Sequence, residues 1–166
     1  MPNITLVVAM DRNMAIGKDR DIPWRGHLRR DMEHFKETTL GKTVLIGRLT
    51  YESIPEKFRP LRGRTNIIFT RNREYSATGC VISHSVEEIC RLSETQEVMV
   101  IGGGQIYELF LPHAQRIIAT LVETIIDGDT FFPDVYHNQW GTNPLFVQHA
   151  DEKNVFSFSV VEYVRV

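Results

Sequence analysis

A chain of 166 residues, 42% hydrophobic and 24% charged, has the usual size of one globular domain and can bury most of its apolar surface. Its formal net charge is -2, with Lys and Arg interspersed among acids, so it lacks the electrostatic footprint of a nucleic-acid or membrane-surface protein. A small-molecule partner is expected instead.

The first apolar run, 4–10, is of strand length and has neither a basic flank nor a small-residue cleavage site, so it reads as a strand rather than a signal peptide or membrane span. A cytoplasmic protein is expected. Further apolar, β-branched runs at 43–46, 66–70, 81–83, 98–101, 117–122, 146–149 and 156–164 predict seven more strands. Helical stretches fall between several of them, at 29–38, 48–53, 86–92 and 105–109, and the C-terminal part shows strands alone. This order predicts a single α/β domain over residues 1–166: a central, mostly parallel mixed sheet of about eight strands, closed by an antiparallel C-terminal hairpin and flanked by about four helices. The segment 55–63 is a basic, proline-containing loop, and no linker or repeat divides the chain. Cys80 and Cys90 match no metal or redox spacing and read as idle free thiols.

On the predicted helix 29–38, Leu28, Met32 and Phe35 follow the i, i+4, i+7 spacing of an apolar stripe, and Asp31 falls beside it. A carboxylate bordering a buried face loses hydration, which raises its pKa and suits it to act as an acid or ligand anchor. The same position is also the first helical turn, where an acid simply favours the positive end of the helix dipole. The residues leave both readings open.

After the strand 98–101 come Gly102, Gly103 and Gly104 and then a helix from Gln105, which brings backbone N–H groups within reach of an anionic phosphate. A tight turn would use the same glycines. The full dinucleotide fingerprint fails, because Tyr107 stands where its third glycine is needed. Gly41, Lys42 and Thr43 mimic the end of a P-loop but precede a strand when they should follow one. The six histidines show no paired-ligand spacing, so no metal site is expected.

Taken in order, the fragments resemble the dihydrofolate reductase family, in its bacterial form. They are Val8-Ala9-Met10-Asp11, Ile16-Gly17, Ile22-Pro23-Trp24, Asp31 with Phe35-Lys36, Gly47-Arg48 with Thr50, and Glu52-Ser53-Ile54. Leu61, Gly63-Arg64, Asn66-Ile67-Ile68, Ile101 through Tyr107, Gly128-Asp129-Thr130 and Phe132-Pro133 continue the series to nearly the whole chain. The resemblance implies reduction of dihydrofolate to tetrahydrofolate by NADPH, in support of one-carbon metabolism and thymidylate synthesis, by a monomer that also binds antifolates.

It also implies roles for particular residues. Asp31 would hydrogen-bond and position the pteridine and favour its protonated form, with Thr120 in its hydrogen-bond network and Trp24 near an ordered water. These three form the implied catalytic set. Val7, Val8, Met32, Phe35, Ile54, Leu61 and Ile101 would line the folate pocket, where flat rings call for apolar walls. Arg64 would hold the α-carboxylate of the glutamate tail through a two-pronged charged pair. Ala9, Ile16, Ile101 and Tyr107 would flank the nicotinamide, and Gly17 would also contact the cofactor. Gly47, Arg48, Leu49, Thr50, Gly102, Gly103, Gly104, Gln105, Ile106 and Thr130 would surround the rest of the cofactor, with Thr70 and Arg71 near the adenosine 2′-phosphate. Arginines at strand ends favour NADPH over NADH, whose site commonly carries an acid there. Gly102–Gly103 would be the family's cis peptide, and 14–24 the loop that closes over the nicotinamide.

The chain departs from the family pattern between Trp24 and Asp31, where the link 25–30 is about two residues longer and more basic than usual. Leu49 and Arg62 also replace a basic residue and a proline. Two other readings fit the residues less well. A pyrimidine reductase of the riboflavin pathway shares the fold and NADPH, but Asp31, Phe35, Arg64 and Thr120 suit a glutamate-tailed pteridine better. A non-catalytic RNA-binding module using the basic stretches 25–30 and 59–64 lacks a basic balance and an aromatic platform.

Overall fold

Strands that are apolar at successive positions must be covered on both faces, and the chain does this by laying helices on each side of one sheet. The computed structural model describes residues 2–19, 21–135 and 137–166; Arg20, within the expected loop 14–24, lies outside them. In chain order the strands are β1 (Ile4–Met10), β2 (Ala15–Gly17), β3 (Thr43–Gly47), β4 (Thr65–Phe69), β5 (Cys80–Ser83), β6 (Val98–Gly102), β7 (Arg116–Val122), β8 (Thr130–Phe131), β9 (Trp140–Gln148) and β10 (Phe158–Arg165). The helices are α1 (Arg29–Thr39), α2 (Arg48–Ser53), α3 (Val86–Ser93) and α4 (Gly104–Phe110).

Eight strands form one sheet in the order β5-β4-β3-β6-β1-β7-β10-β9, while β2 and β8 pair separately. From β5 to β7 every neighbouring pair is parallel, and β10 runs antiparallel to both β7 and β9. The expected mostly parallel sheet with a C-terminal antiparallel hairpin is therefore present.

The alternation of side chains sorts the core into two layers. Ile4, Leu6, Val8, Val98, Val100 and Ile117 point to one face and pack with Ile89 of α3 and Ile106, Tyr107 and Phe110 of α4. Val7, Val44 and Met99 point to the other, against Phe35 of α1, and Ile46 and Ile68 meet Tyr51 of α2 there. The chain moves outward from β1 with α1 and α2 on one face and returns with α3 and α4 on the other, as right-handed crossovers require.

Two features differ from the sequence expectation. The strand expected at 146–149 begins at Trp140. Its first half carries Gly141 and Pro144 and is mostly exposed, so it shows no buried periodicity, an arrangement an edge strand tolerates. The β2–β8 pair was not expected, because strands of three and two residues are too short to carry a periodic signal.

Candidate active site

The pairing of β1 with β6 runs only from Ile4 opposite Val98 to Leu6 opposite Val100. β1 continues along β7 to Met10 opposite Leu121, and β6 continues along β3 until Gly102 faces Ile46. The carboxyl ends of β1 and β6 therefore part, and a crevice at the carboxyl ends of parallel strands is where open α/β sheets bind ligands. At its base the Tyr107 hydroxyl donates to the Val7 carbonyl at 2.6 Å. Burial pushes the pKa of that hydroxyl up, so it stays a donor.

Helix α1 forms one wall. Leu28, Asp31, Phe35 and Thr39 lie along its inward side, and Leu28 and Thr39 are fully buried. Thr120, on β7 opposite Ala9, donates its hydroxyl to Asp31 Oδ1 at 2.6 Å. Loss of hydration raises the Asp31 pKa, and the Thr120 hydrogen bond and the Arg30 charge offset part of that rise. Asp31 is half-buried and also stands in the first turn of α1, so the features behind both readings are present. The expected stripe needs correction at Met32, which is 55% exposed: one residue past Asp31, it turns about 100° away and sits on the rim.

Val7, Phe35, Leu61 and Ile101 pack together over Val44 and Met99, and Ile54 joins the neighbouring cluster around Tyr51 that Ile101 also touches. Val8 is a second correction. Its side chain points through the sheet into the layer beneath α4, because adjacent residues of a strand face opposite ways. Trp24 is 4% exposed and packs with Leu28, Ile118 and Phe158, with Ala9 against the same cluster, so it braces the start of α1.

At the far end of α1, Arg64 is anchored twice. Its Nε donates to the Arg62 carbonyl at 3.0 Å and its Nη1 to Thr39 Oγ1 at 3.1 Å. Burial lowers the Arg64 pKa, yet a guanidinium remains charged at physiological pH. Asp31 and Thr39 are eight residues apart, which places the acid and the cation on the order of 12 Å apart along the helix.

On the opposite side, segments distant in sequence converge on glycines. A Cβ on Gly47 would lie 2.8 Å from Ile106 Cγ1, one on Gly103 2.7 Å from Thr50 Oγ1, and one on Gly104 2.8 Å from Thr130 Cγ2. The side chain of Ile16 also reaches to 3.9 Å from the Gly104 position. Gly17 pairs with Thr130 across the β2–β8 ladder. The Gly102–Gly103 peptide is cis, as the resemblance implies, and Gly102 has φ 125°. The Arg59–Pro60 bond is also cis, a feature no sequence signal indicated.

Arg48 and Thr50 begin α2, where Arg48 Nη1 lies 3.3 Å from Glu52 Oε2, and Leu49 is 54% exposed beside them. Thr70 is buried at the end of β4 with its hydroxyl accepting from the Asn72 N–H, while Arg71 and Gln105 are exposed.

Sequence reasoning passed over two residues. Thr39 holds Arg64, but a threonine ending a helix carries no distinctive signal. Asp11 accepts the N–H groups of Asn13 and Ala15 on Oδ1 and of Ile126 on Oδ2, each at 2.8 Å, and so pins the base of the segment 14–24. An Asp followed by turn residues was the available clue.

This arrangement matches known proteins. The family model described as dihydrofolate reductase covers residues 3–165. A type 3 dihydrofolate reductase from Salmonella typhimurium is 40% identical over 163 residues, 98% of each chain. Dihydrofolate reductase from Staphylococcus haemolyticus is 40% identical over 164 residues, 98% of this chain and 96% of that one. Among solved structures, dihydrofolate reductase from Enterococcus faecalis complexed with NADP(H) and RAB-propyl superposes with a TM-score of 0.85 at 35% identity, covering 98% of this chain and 95% of that one. Similarity of this extent, in a chain whose parallel sheet parts into a crevice beside a half-buried acid, places it in the dihydrofolate reductase family.

Proposed function

We infer that the protein reduces 7,8-dihydrofolate to 5,6,7,8-tetrahydrofolate with NADPH as reductant. The observation that carries this reading is the inward side of α1: a half-buried carboxylate at one end, an anchored guanidinium at the other and Phe35 between them. That spacing suits an extended ligand with a polar ring at Asp31, an apolar middle against Phe35, Leu61 and Ile54, and an anionic tail at Arg64. A pyrimidine substrate without a glutamate tail would leave Arg64 unused.

Asp31 accepts hydrogen bonds from the pteridine and, held by Thr120, presents its carboxyl in a fixed orientation. Burial raises its pKa, which favours retention of a proton beside the ring nitrogen that must gain one. Trp24, Val7 and Ile101 enclose the ring, with Val8 contributing backbone rather than side chain, and Met32 is free to be covered by ligand. Exclusion of water strengthens the polarity of the Asp31 carboxyl at the reacting nitrogen.

The glycine wall fits a dinucleotide, since Gly47, Gly103 and Gly104 leave space that a Cβ would fill. Arg48, Leu49, Thr50, Gly102, Gln105, Ile106 and Thr130 surround that space, with Ala9, Ile16, Gly17, Ile101 and Tyr107 on the nicotinamide side. Thr70 and Arg71 would receive the 2′-phosphate. When bound, NADPH supplies the hydride. We read residues 1–166 as one reductase domain, acting in the cytoplasm as a monomer that binds antifolates but no nucleic acid. Among the described residues no helix is long and apolar enough to cross a membrane.

Loss of NADPH absorbance on adding dihydrofolate to the purified protein tests this reading. Absence of turnover would overturn it.

A further inference from the structure

Helix α1 carries Asp31 in its first turn but has no cap of its own. The N-cap position is Leu28, whose side chain accepts no hydrogen bond, and the first N–H groups of a helix need acceptors from elsewhere. They find them in the loop 149–157 between β9 and β10. The Arg29 N–H donates to the Lys153 carbonyl at 3.1 Å, and the Arg30 N–H donates to Asn154 Oδ1 at 2.9 Å.

Asn154 is 4% exposed and is itself held in place. Its backbone N–H and its Nδ2 both donate to Asp151 Oδ1, at 2.8 and 3.0 Å. Leu28 and Asn154 face each other in an antiparallel bridge, and the Val155 N–H donates to the His27 carbonyl at 2.8 Å. The longer link 25–30 is thus tied down by this loop. The strand that follows the loop, β10, places Val160 opposite Thr120, the residue that donates to Asp31. Both attachments of the first turn of α1 therefore lead to the same part of the sheet.

We propose that Asn154 is a positioning residue for Asp31: by capping α1 from the β9–β10 loop, it sets where the carboxyl meets Thr120 and the substrate ring. A neutral cap matters here. An aspartate would still accept from the Arg30 N–H but would lose the amide donor to Asp151 and add a negative charge at the start of the helix that carries Asp31. The groups facing Asp31 are the Thr120 hydroxyl from β7 and, on its own helix, Arg30, whose guanidinium lies 3.6 Å from Glu37 and 4.6 Å from the Phe146 ring of β9. The loop itself adds Asp151 and Lys153. The proposal rests on the assignment of Asp31 as the acid of a dihydrofolate reductase.

The test compares Asn154→Ala, Asn154→Ser and Asn154→Asp with the unchanged protein. Loss of the cap in Asn154→Ala should raise the KM for dihydrofolate about three- to tenfold with the Kd for NADPH unchanged. Asn154→Ser, a neutral cap, should restore it. Asn154→Asp should lower the melting temperature, because its carboxylate meets Asp151 Oδ1 where Nδ2 donated, and should move the pH–turnover profile, and the carboxyl 13C titration of Asp31, to higher pH. A purely structural cap would lower the melting temperature of Asn154→Ala and leave KM, kcat and the pH profile alone, and that result would overturn the proposal. So would an Asp31 titration in Asn154→Asp that superimposes on that of the unchanged protein. The 13C titration needs no turnover, so it decides the matter even if the unchanged protein fails to reduce dihydrofolate, a failure that would instead sink the reductase reading.

Discussion

Replacing Arg64 with alanine isolates the part of the site that should recognise the substrate's tail. The guanidinium is held by the Arg62 carbonyl and by Thr39 Oγ1, so it needs little reorganisation before meeting a carboxylate. Nη2 and the second Nη1 hydrogen are left to bind it. Charged hydrogen bonds of this kind contribute about 1.5 to 3 kcal/mol, which corresponds to a rise in KM for dihydrofolate of roughly ten- to 150-fold. The lower end is the better guide, because Arg64 is only half-buried and water screens the pair. Thr39 still donates to the Phe35 carbonyl in the variant, so the end of α1 should hold. Steady-state kinetics with dihydrofolate, run beside a dihydropterin lacking the glutamate tail, make the assay specific. The variant should lose affinity for the tailed substrate alone, with Arg64→Lys intermediate because it keeps the charge but not the fork. An equal loss with the tail-less substrate, or an equal loss in NADPH affinity, would refute the assignment.

Asp31→Asn should retain NADPH binding and lose most turnover at neutral pH, as single-turnover fluorescence would show. The same change alters stability with a definite sign. Burial raises the folded-state pKa of Asp31, so the stability this carboxyl contributes is fully present below its unfolded pKa and is lost as pH rises through the folded one. Asp31→Asn should therefore gain stability relative to the unchanged protein on going from acid to neutral pH, and parallel melting curves at all pH values would contradict this. Gly103→Ala places a methyl group 2.7 Å from Thr50 Oγ1, and calorimetric titration should show weakened NADPH binding with a smaller effect on folate ligands. Tyr107→Phe leaves the Val7 carbonyl without its 2.6 Å hydroxyl donor. The cost of about 1 to 3 kcal/mol should lower the melting temperature by several degrees, and an unchanged melting temperature would count against the bond.

Much of the architecture was legible in the residues, because its signals are local. The apolar runs that became β1, β3 and β6 and the helix that became α1 announce themselves through composition and period, and those were located to within a residue or so. The edge strand β9 and the short β2–β8 pair were not legible, since exposure and brevity remove the pattern. At the site, the order of fragments along the chain points to Asp31, Arg64 and the glycine run. Residue type and spacing cannot say which way a side chain points within a shared pocket, so Val8 and Met32 needed the structure to orient them.

By itself, the sequence was therefore enough for the family and for the sheet with its helices. The tertiary structure decided what depends on contacts between distant segments. Thr120 meets Asp31 across 89 positions, and Asn154 caps α1 across 124. Such bonds leave no mark in local composition, because a donor and an acceptor so far apart in the chain are brought together only when the sheet closes between them.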